Sequence, residues 1–230
     1  MHTRTILTMV LLTVAFTLLI GCQGGGDTGN DISFYFPLAE GKTWSWEYSD
    51  NIPPSVSQSW EMSCSGLTTF LGHSCYILQE ETYPRVFLNW SNKGLVYYGI
   101  VPYTPVVPPG SGTRQSSVRE YDPPYIRIPQ ILQAGYTWSQ EINKKDEDGI
   151  ITSTFTVHGS VDEVDASVTV PVGTFSHAIK ITLTEYVNGE ADYPHIYWYV
   201  PDIGLVKEDY YLYIENGYVH MDSGGLTAYE

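Results

Sequence analysis

From Ile32 onward, apolar and polar positions alternate in short runs. No window of a dozen residues keeps a 3.6-residue apolar period free of Gly, Pro or β-branched interruptions. Thr43-Trp44-Ser45-Trp46-Glu47-Tyr48, Ser74-Cys75-Tyr76-Ile77-Leu78-Gln79 and Thr152-Ser153-Thr154-Phe155-Thr156-Val157-His158 carry this alternation. A strand of period two turns one such row to a core and the other to water. Further runs occupy 85–91, 94–101, 136–142, 166–170, 176–187, 195–200, 205–214 and 217–228. Many are separated by turn-forming residues, such as Asn92-Lys93-Gly94, Asp146-Glu147-Asp148-Gly149, Asn188-Gly189, Pro201-Asp202-Ile203-Gly204 and Asn216-Gly217. Connections this short join antiparallel strands. The predicted fold is therefore all-β: one large curved antiparallel sheet, an incomplete barrel or a sandwich, with helix limited to a turn or two near Gln130 to Gln133.

Two pairs of segments recur. Gly41-Lys42-Thr43-Trp44-Ser45-Trp46-Glu47 matches Gly135-Tyr136-Thr137-Trp138-Ser139-Gln140-Glu141 at five of seven positions, and Gly94-Leu95-Val96 is followed in the same order by Gly204-Leu205-Val206. The repeats suggest a single β-domain over 32–230, made of two related meander halves at about 32–101 and 129–230. A chance match is the competing reading. The stretch from 102 to 129 holds seven of the fourteen prolines. Proline cannot donate to a sheet ladder, so 102–128 reads as a joining loop or extended linker. Long loops in compact domains are often functional. Tyr103, Tyr121 and Tyr125, with Arg114, Arg119 and Arg127, make this the candidate binding segment; a crossover wrapping one sheet edge is the plainer alternative.

The first thirty residues differ from the rest. Met1 to Thr5 carries Arg4, and Ile6 to Ile20 follows with no charge. Fifteen uncharged, mostly apolar residues are short for a membrane span, which needs about 20, and fit a signal-peptide core. The run ends in Leu19-Ile20-Gly21-Cys22, which resembles the bacterial lipobox. The resemblance implies a lipoprotein signal peptide over 1–21, cleavage before Cys22, and acyl chains on Cys22 as the membrane contact. Residues 22–31 then form a Gly-rich flexible tether behind the lipidated Cys. Gln23 stands where aspartate would retain an enterobacterial lipoprotein in the inner membrane, so the expected location is the cell envelope, outer membrane rather than inner.

Acidic residues outnumber basic ones 26 to 11, a formal charge of −15. Phosphate backbones recruit clustered Lys and Arg, so nucleic acid is excluded as a partner, as is electrostatic attachment to anionic lipid. With Cys22 acylated, Cys64 and Cys75 are an even pair in an oxidising compartment and read as a structural disulfide across a hairpin tip, with two free thiols as the alternative. No metal-ligand spacing and no cofactor motif is present. Gly72-His73-Ser74-Cys75-Tyr76 begins like a nucleophile elbow but lacks its final Gly and the helix that should follow. Asp146, Asp148 and Gly149 read as a charged hairpin tip rather than a calcium loop. The Tyr197-Trp198-Tyr199 and Tyr210-Tyr211-Tyr213 clusters either cover a sheet or line an apolar or sugar-binding pocket. No catalytic residue emerges.

Phe36-Pro37-Leu38 with Gly41 and Trp44, then Val170-Pro171-Val172-Gly173-Thr174-Phe175, then Tyr199, Val200 and Gly204-Leu205-Val206-Lys207 form a recurring pattern. It is similar to the signature of largely uncharacterised bacterial β-rich lipoproteins, and more distantly to the lipoprotein-carrier fold that cradles acyl chains. The resemblance implies a curved antiparallel sheet and no catalytic set. The expected function is a non-enzymatic, membrane-anchored envelope domain that binds a ligand or protein partner or serves a structural role. The alternatives are a carrier of an apolar ligand or of lipoprotein acyl chains in a sheet cavity, and an envelope hydrolase acting on glycans or peptides.

Overall fold

The computed structural model describes residues 31–50, 57–80, 85–101, 119–214 and 217–230. Cys22, Tyr103 and Arg114 lie outside them. The chain forms twelve strands, β1 (Thr43–Asp50), β2 (Ser57–Phe70), β3 (His73–Glu80), β4 (Arg85–Ser91), β5 (Gly94–Val101), β6 (Arg119–Pro129), β7 (Thr137–Lys145), β8 (Ile151–Val170), β9 (Gly173–Val187), β10 (Glu190–Val200), β11 (Gly204–Ile214) and β12 (Gly217–Tyr229). Each pairs antiparallel with its sequence neighbours, and β12 returns to β1 through Trp44↔Tyr229 and Glu47↔Gly225. The sheet is one closed up-and-down barrel rather than an incomplete one. Closure removes both sheet edges, which would otherwise offer unpaired backbone groups. A single 3-10 turn at Ser33–Tyr35 precedes β1, and the residues at 130–133, where a helical turn was expected, are irregular.

The predicted alternation decides which rows enter the barrel. On β8, Phe155, Val157, Gly159 and Val161 are buried while Thr154 and His158 face water. Trp44, Trp46, Leu88, Ile142, Ile181 and Leu226 fill the interior and are almost inaccessible. A round twelve-stranded barrel would enclose more space than side chains fill. Here opposite walls touch: Arg127 of β6 reaches Tyr197 of β10. The segment before β1 also plugs one end. Phe36 stacks on Trp44 at 5.6 Å and meets Tyr199 edge-on at 6.1 Å. Trp44 donates its indole N–H to Ile203 O at 2.6 Å, and Trp90 donates to Phe36 O at 3.1 Å. Gly204 lies 3.4 Å, by its would-be Cβ, from the Phe36 ring. Phe36, Trp44, Tyr199 and Gly204, scattered along the sequence pattern, thus converge at this closed pole. The β8–β9 turn leans over the same end, where Pro171 packs against Gly225 and Val172 N–H bonds to Leu226 O.

The repeated segments occupy matching places. Gly41 precedes β1 and Gly135 precedes β7, six strands on, with φ of 85° and 84°. Gly41 N–H bonds to Cys64 O and Cys64 N–H to Lys42 O; Gly135 N–H bonds to Val161 O and Val161 N–H to Tyr136 O. Gly94 and Gly204 open β5 and β11, again six strands apart. Grouped by these matching openings, the strands divide as β1–β6 and β7–β12. The boundary falls after β6 rather than before it.

That shift corrects the reading of the proline-rich stretch. Its part from 119 to 129 is strand β6, not linker, paired to β5 through Tyr97↔Tyr125 and Leu95↔Ile128. The prolines weaken only its other side. β6 pairs with β7 at Glu120, Tyr121 and Asp122 and then parts from it. The side-chain amide of Gln140 on β7 fills the gap, donating to Pro124 O at 2.7 Å and accepting from Ile126 N–H at 3.1 Å. Gln140→Leu keeps the volume but orphans both backbone groups, so it is expected to lower unfolding free energy by about 2–3 kcal/mol. A urea titration giving a midpoint unchanged from wild type would show that the amide does not replace the missing ladder.

The expected disulfide is absent: Cys64 and Cys75 are both free and buried. In the β2–β3 register Cys64 stands opposite Leu78, and Cys75 opposite Thr68. Cys64 packs in the barrel interior, whereas Cys75 packs with Phe70 and Phe87 in a separate cluster. The strands turn at Leu71-Gly72, which leaves Cys75 three positions short of the partner of Cys64, so the two sulfurs belong to different cores.

Candidate functional site

The described surface holds no obvious catalytic set. Asp146 spends its carboxylate on the N–H groups of Asp148 and Ile150 in its own turn. Ser74 is exposed at the start of β3, and its carbonyl accepts from Asn89. The outward rows are polar, with Ser45 and Glu47 on β1, Ser139 and Glu141 on β7, and Thr154 and His158 on β8. A lipid-spanning barrel needs the reverse, an apolar outer band around a polar interior. Among the described residues no helix is long and apolar enough to cross a membrane.

The interior is different at one place. β6 sends Tyr121, Tyr125 and Arg127 inward, where they meet Tyr97 of β5 and Tyr197 of β10. The Arg127 guanidinium lies 4.0 Å from the centre of the Tyr197 ring, 5.0 Å from Tyr97 and 5.7 Å from Tyr125. Its Nη1 donates to the Tyr197 hydroxyl at 3.0 Å. Its Nε–H is buried and has no acceptor. Among the described residues no carboxylate pairs with it. Beside this group is a cavity of about 200 Å³, whose remaining walls include the apolar Val86, Ile100 and Leu183 and the polar Glu185 and His195. His195 is occupied, lying 3.2 Å from Glu208 and stacked on Tyr197. Tyr121 and Tyr125 pack edge-on against Phe155 at 6.2 and 6.3 Å, which holds both rings against the cavity.

The electrostatics follow from burial. Desolvation opposes the charge on Arg127, yet the phenol oxygens of Tyr197, Tyr97, Tyr199 and Tyr125 raise its pKa well above the ordinary value. A guanidinium is in any case effectively always protonated. Burial pushes the Tyr121 phenol up to about 12, with Glu185 adding to the effect. Tyr125, Tyr197 and Tyr199 are raised too, burial being the main cause. Burial likewise lifts the Cys64 thiol to about 11. Groups whose folded pKa exceeds the unfolded one stabilise the fold fully below the unfolded pKa and lose that contribution as pH rises through the folded pKa. The phenols of the unfolded chain ionise near about 10. Stability should therefore fall steadily from about pH 10 upward as the unfolded chain sheds protons that the folded one keeps. Urea midpoints measured alongside phenolate absorbance would show this; phenolate appearing before unfolding would mean the cage tyrosines are open to solvent.

Three of the six predicted binding residues, Tyr121, Tyr125 and Arg127, meet at this cavity. Arg119 is exposed at the first position of β6 and does not line it. The residues that sequence reasoning missed are Tyr97 and Glu185, each of which reads as an ordinary strand position. The Tyr197-Trp198-Tyr199 cluster splits: Tyr197 and Tyr199 are buried inside, while Trp198 carries Lys207 at 4.5 Å and Lys180 at 5.6 Å over its ring. Period two is the signal that could have found this.

No protein-family model and no curated protein matches the chain. Two solved structures are similar in outline. One, from Parabacteroides distasonis ATCC 8503, is described as a candidate lipoprotein, with 14% identity and a TM-score of 0.43 over 86% of this chain and 98% of its own. The other, from Bacteroides fragilis NCTC 9343, is described as a candidate exported protein with a YmcC-like fold, with 9% identity and a TM-score of 0.40 over 86% and 99%. At such scores the likeness is one of coarse outline, and nothing about the function of this chain follows from it.

Proposed function

We propose that this chain is an exported, lipid-anchored envelope protein that binds a small molecule, without chemical turnover, inside its barrel. The observation that carries the binding reading is Arg127: a half-buried cation whose enclosed Nε–H has no acceptor, with no carboxylate partner among the described residues and a cavity beside it. A charge drawn partly out of water and left without a counterion is costly, and aromatic faces offset only part of that cost. A site that bears such a cost is suited to a ligand that supplies the missing acceptor. The anchor reading rests on the leader and on Leu19-Ile20-Gly21-Cys22. An outer-membrane address rests on Gln23 alone.

The size of the cavity favours this over a carrier of acyl chains. Pockets for ligands of drug size run to about 300–1,000 Å³, and the space beside Arg127 is about 200 Å³ in an interior otherwise occupied by indoles and aliphatic side chains.

Two measurements test the reading. The full chain should partition into detergent from a membrane extract, and Cys22→Ser should leave it in the aqueous phase; equal partition of both would remove the anchor. Protein purified without denaturation from its own envelope should release a small molecule on unfolding, seen by mass spectrometry. Release of nothing, together with a melting temperature that no small molecule shifts, would remove the binding function.

A further inference from the structure

Given that the interior binds a ligand, the reading on which this inference rests, we propose that the ligand is a small aromatic monocarboxylate. Benzoate and 4-hydroxybenzoate are the model compounds, with the carboxylate on the Arg127 guanidinium and the ring among Tyr97, Tyr121, Tyr125 and Tyr197. Three features of the cavity lead there.

The first is charge and fork geometry. A guanidinium has five N–H donors in a plane and matches a carboxylate with two parallel bonds, whereas a neutral acceptor uses one. Tyr197 takes Nη1, and the Nε–H remains over. The second is the wall. Ring faces of Tyr97, Tyr125 and Tyr197 surround the cation, and Val86, Ile100 and Leu183 complete an apolar lining suited to a flat hydrocarbon body. The volume is the third. An apolar cavity of about 150 Å³ is enough to hold benzene, and this one, at about 200 Å³, leaves room for a ring with one or two small substituents.

Glu185 sets the other end. It lines the same cavity from β9, and its carboxylate has no hydrogen bond or ion pair to another described residue. A second carboxylate on the ligand would face this anion, which rejects dicarboxylates. A hydroxyl at the far end of the ring can donate to it instead. The expected order of affinity is therefore 4-hydroxybenzoate, then benzoate, then terephthalate.

The experiment is calorimetric titration of the detergent-solubilised full chain with benzoate, 4-hydroxybenzoate, terephthalate, benzamidine and benzyl alcohol. The two monocarboxylates should bind at least about tenfold more tightly than the other three, the difference that about 1.4 kcal/mol makes. Glu185→Gln should narrow the gap between benzoate and terephthalate by about tenfold, by removing the opposing charge. Arg127→Met should lose monocarboxylate binding and Arg127→Lys should keep a weakened form of it. Should Arg127→Met fail to fold, the ligand order in wild type and its change in Glu185→Gln still decide the matter. Benzamidine or benzyl alcohol binding as well as benzoate would overturn the assignment while leaving an interior binding site intact. The same holds if no panel member binds but natively purified protein releases a molecule of another class. If nothing binds and nothing is released, the binding function falls with it.

Discussion

Gly94→Ala is expected to abolish or nearly abolish the folded barrel, at a cost of at least about 4 kcal/mol. Gly94 opens β5 at φ +118°, in backbone territory that side chains seldom enter. A Cβ placed there would lie 1.9 Å from Ile128 O and 2.9 Å from Ile128 C and Pro129 C. These are backbone atoms of β6, so no rotamer change can make room. The strands would have to part where Gly94 pairs with Pro129, and the same ladder carries Tyr97↔Tyr125 into the Arg127 cage. Gly72→Ala is the matched control. Gly72 also has positive φ, +86°, but its would-be Cβ meets nothing within 4 Å. Only conformational strain remains there, about 1–2 kcal/mol. Denaturant unfolding of the two variants separates the effects; comparable losses would show that strain, and not the approach of β6, governs Gly94.

Trp44→Ala should cost about 3–5 kcal/mol, the range for emptying a large aromatic site. The indole is 1% exposed, stacks on Phe36 and donates to Ile203 O, so three chain segments meet on it. Removing it loosens the plug before β1 and leaves a carbonyl unpaired at the closed pole. Trp44→Phe retains most of the packing and should cost less, about 1–3 kcal/mol, dominated by the orphaned Ile203 carbonyl. The counterpart position Trp138 begins β7 in the same local geometry but is only partly buried, and its ring rests across Gly159, whose would-be Cβ falls 2.2 Å from it. Trp138→Ala should therefore be the milder of the two. Urea curves with unchanged slope would report these values as stability. A Trp44→Ala loss below about 1 kcal/mol would mean that the closed pole is not part of the cooperative core.

Local pattern explains what could be read ahead of the fold. Strand identity over Thr43–Tyr48 and Gly94–Val101 follows from alternation and flanking turns, which are properties of neighbouring residues. β2 has no such clear pattern in Ser57-Gln58-Ser59-Trp60-Glu61-Met62-Ser63, where serines dominate, and its inward row of Trp60, Met62 and Cys64 is evident only once Trp46 is seen stacked on Trp60 at 5.3 Å. β6 was hidden by its prolines, because the partner that excuses them is a side chain, Gln140, 14 residues from Ile126 and 16 from Pro124. The disulfide expectation failed for a related reason. Spacing counts residues, whereas pairing depends on register, and the turn at Leu71-Gly72 sets Cys64 opposite Leu78 and Cys75 opposite Thr68. Tyr121, Tyr125 and Arg127 lie on one wall of the cavity because they alternate along β6, whereas Arg119 stands at its exposed start.

The sequence by itself determined that this is an antiparallel β-protein in which two segments share a Gly-turn-Trp opening, and it carries the apolar run and Leu19-Ile20-Gly21-Cys22 on which the anchor proposal rests. Those features are local: alternation, turn chemistry and a short apolar run need no distant partner. Only the tertiary structure decided that the sheet closes at β1 and β12, that the thiols belong to separate cores, and that Arg127 sits among tyrosines from β5, β6 and β10 with no counterion among the described residues. Each of these depends on which residues meet across the barrel, seventy positions apart for Arg127 and Tyr197. That is a matter of closure and register, which no stretch of the chain encodes alone.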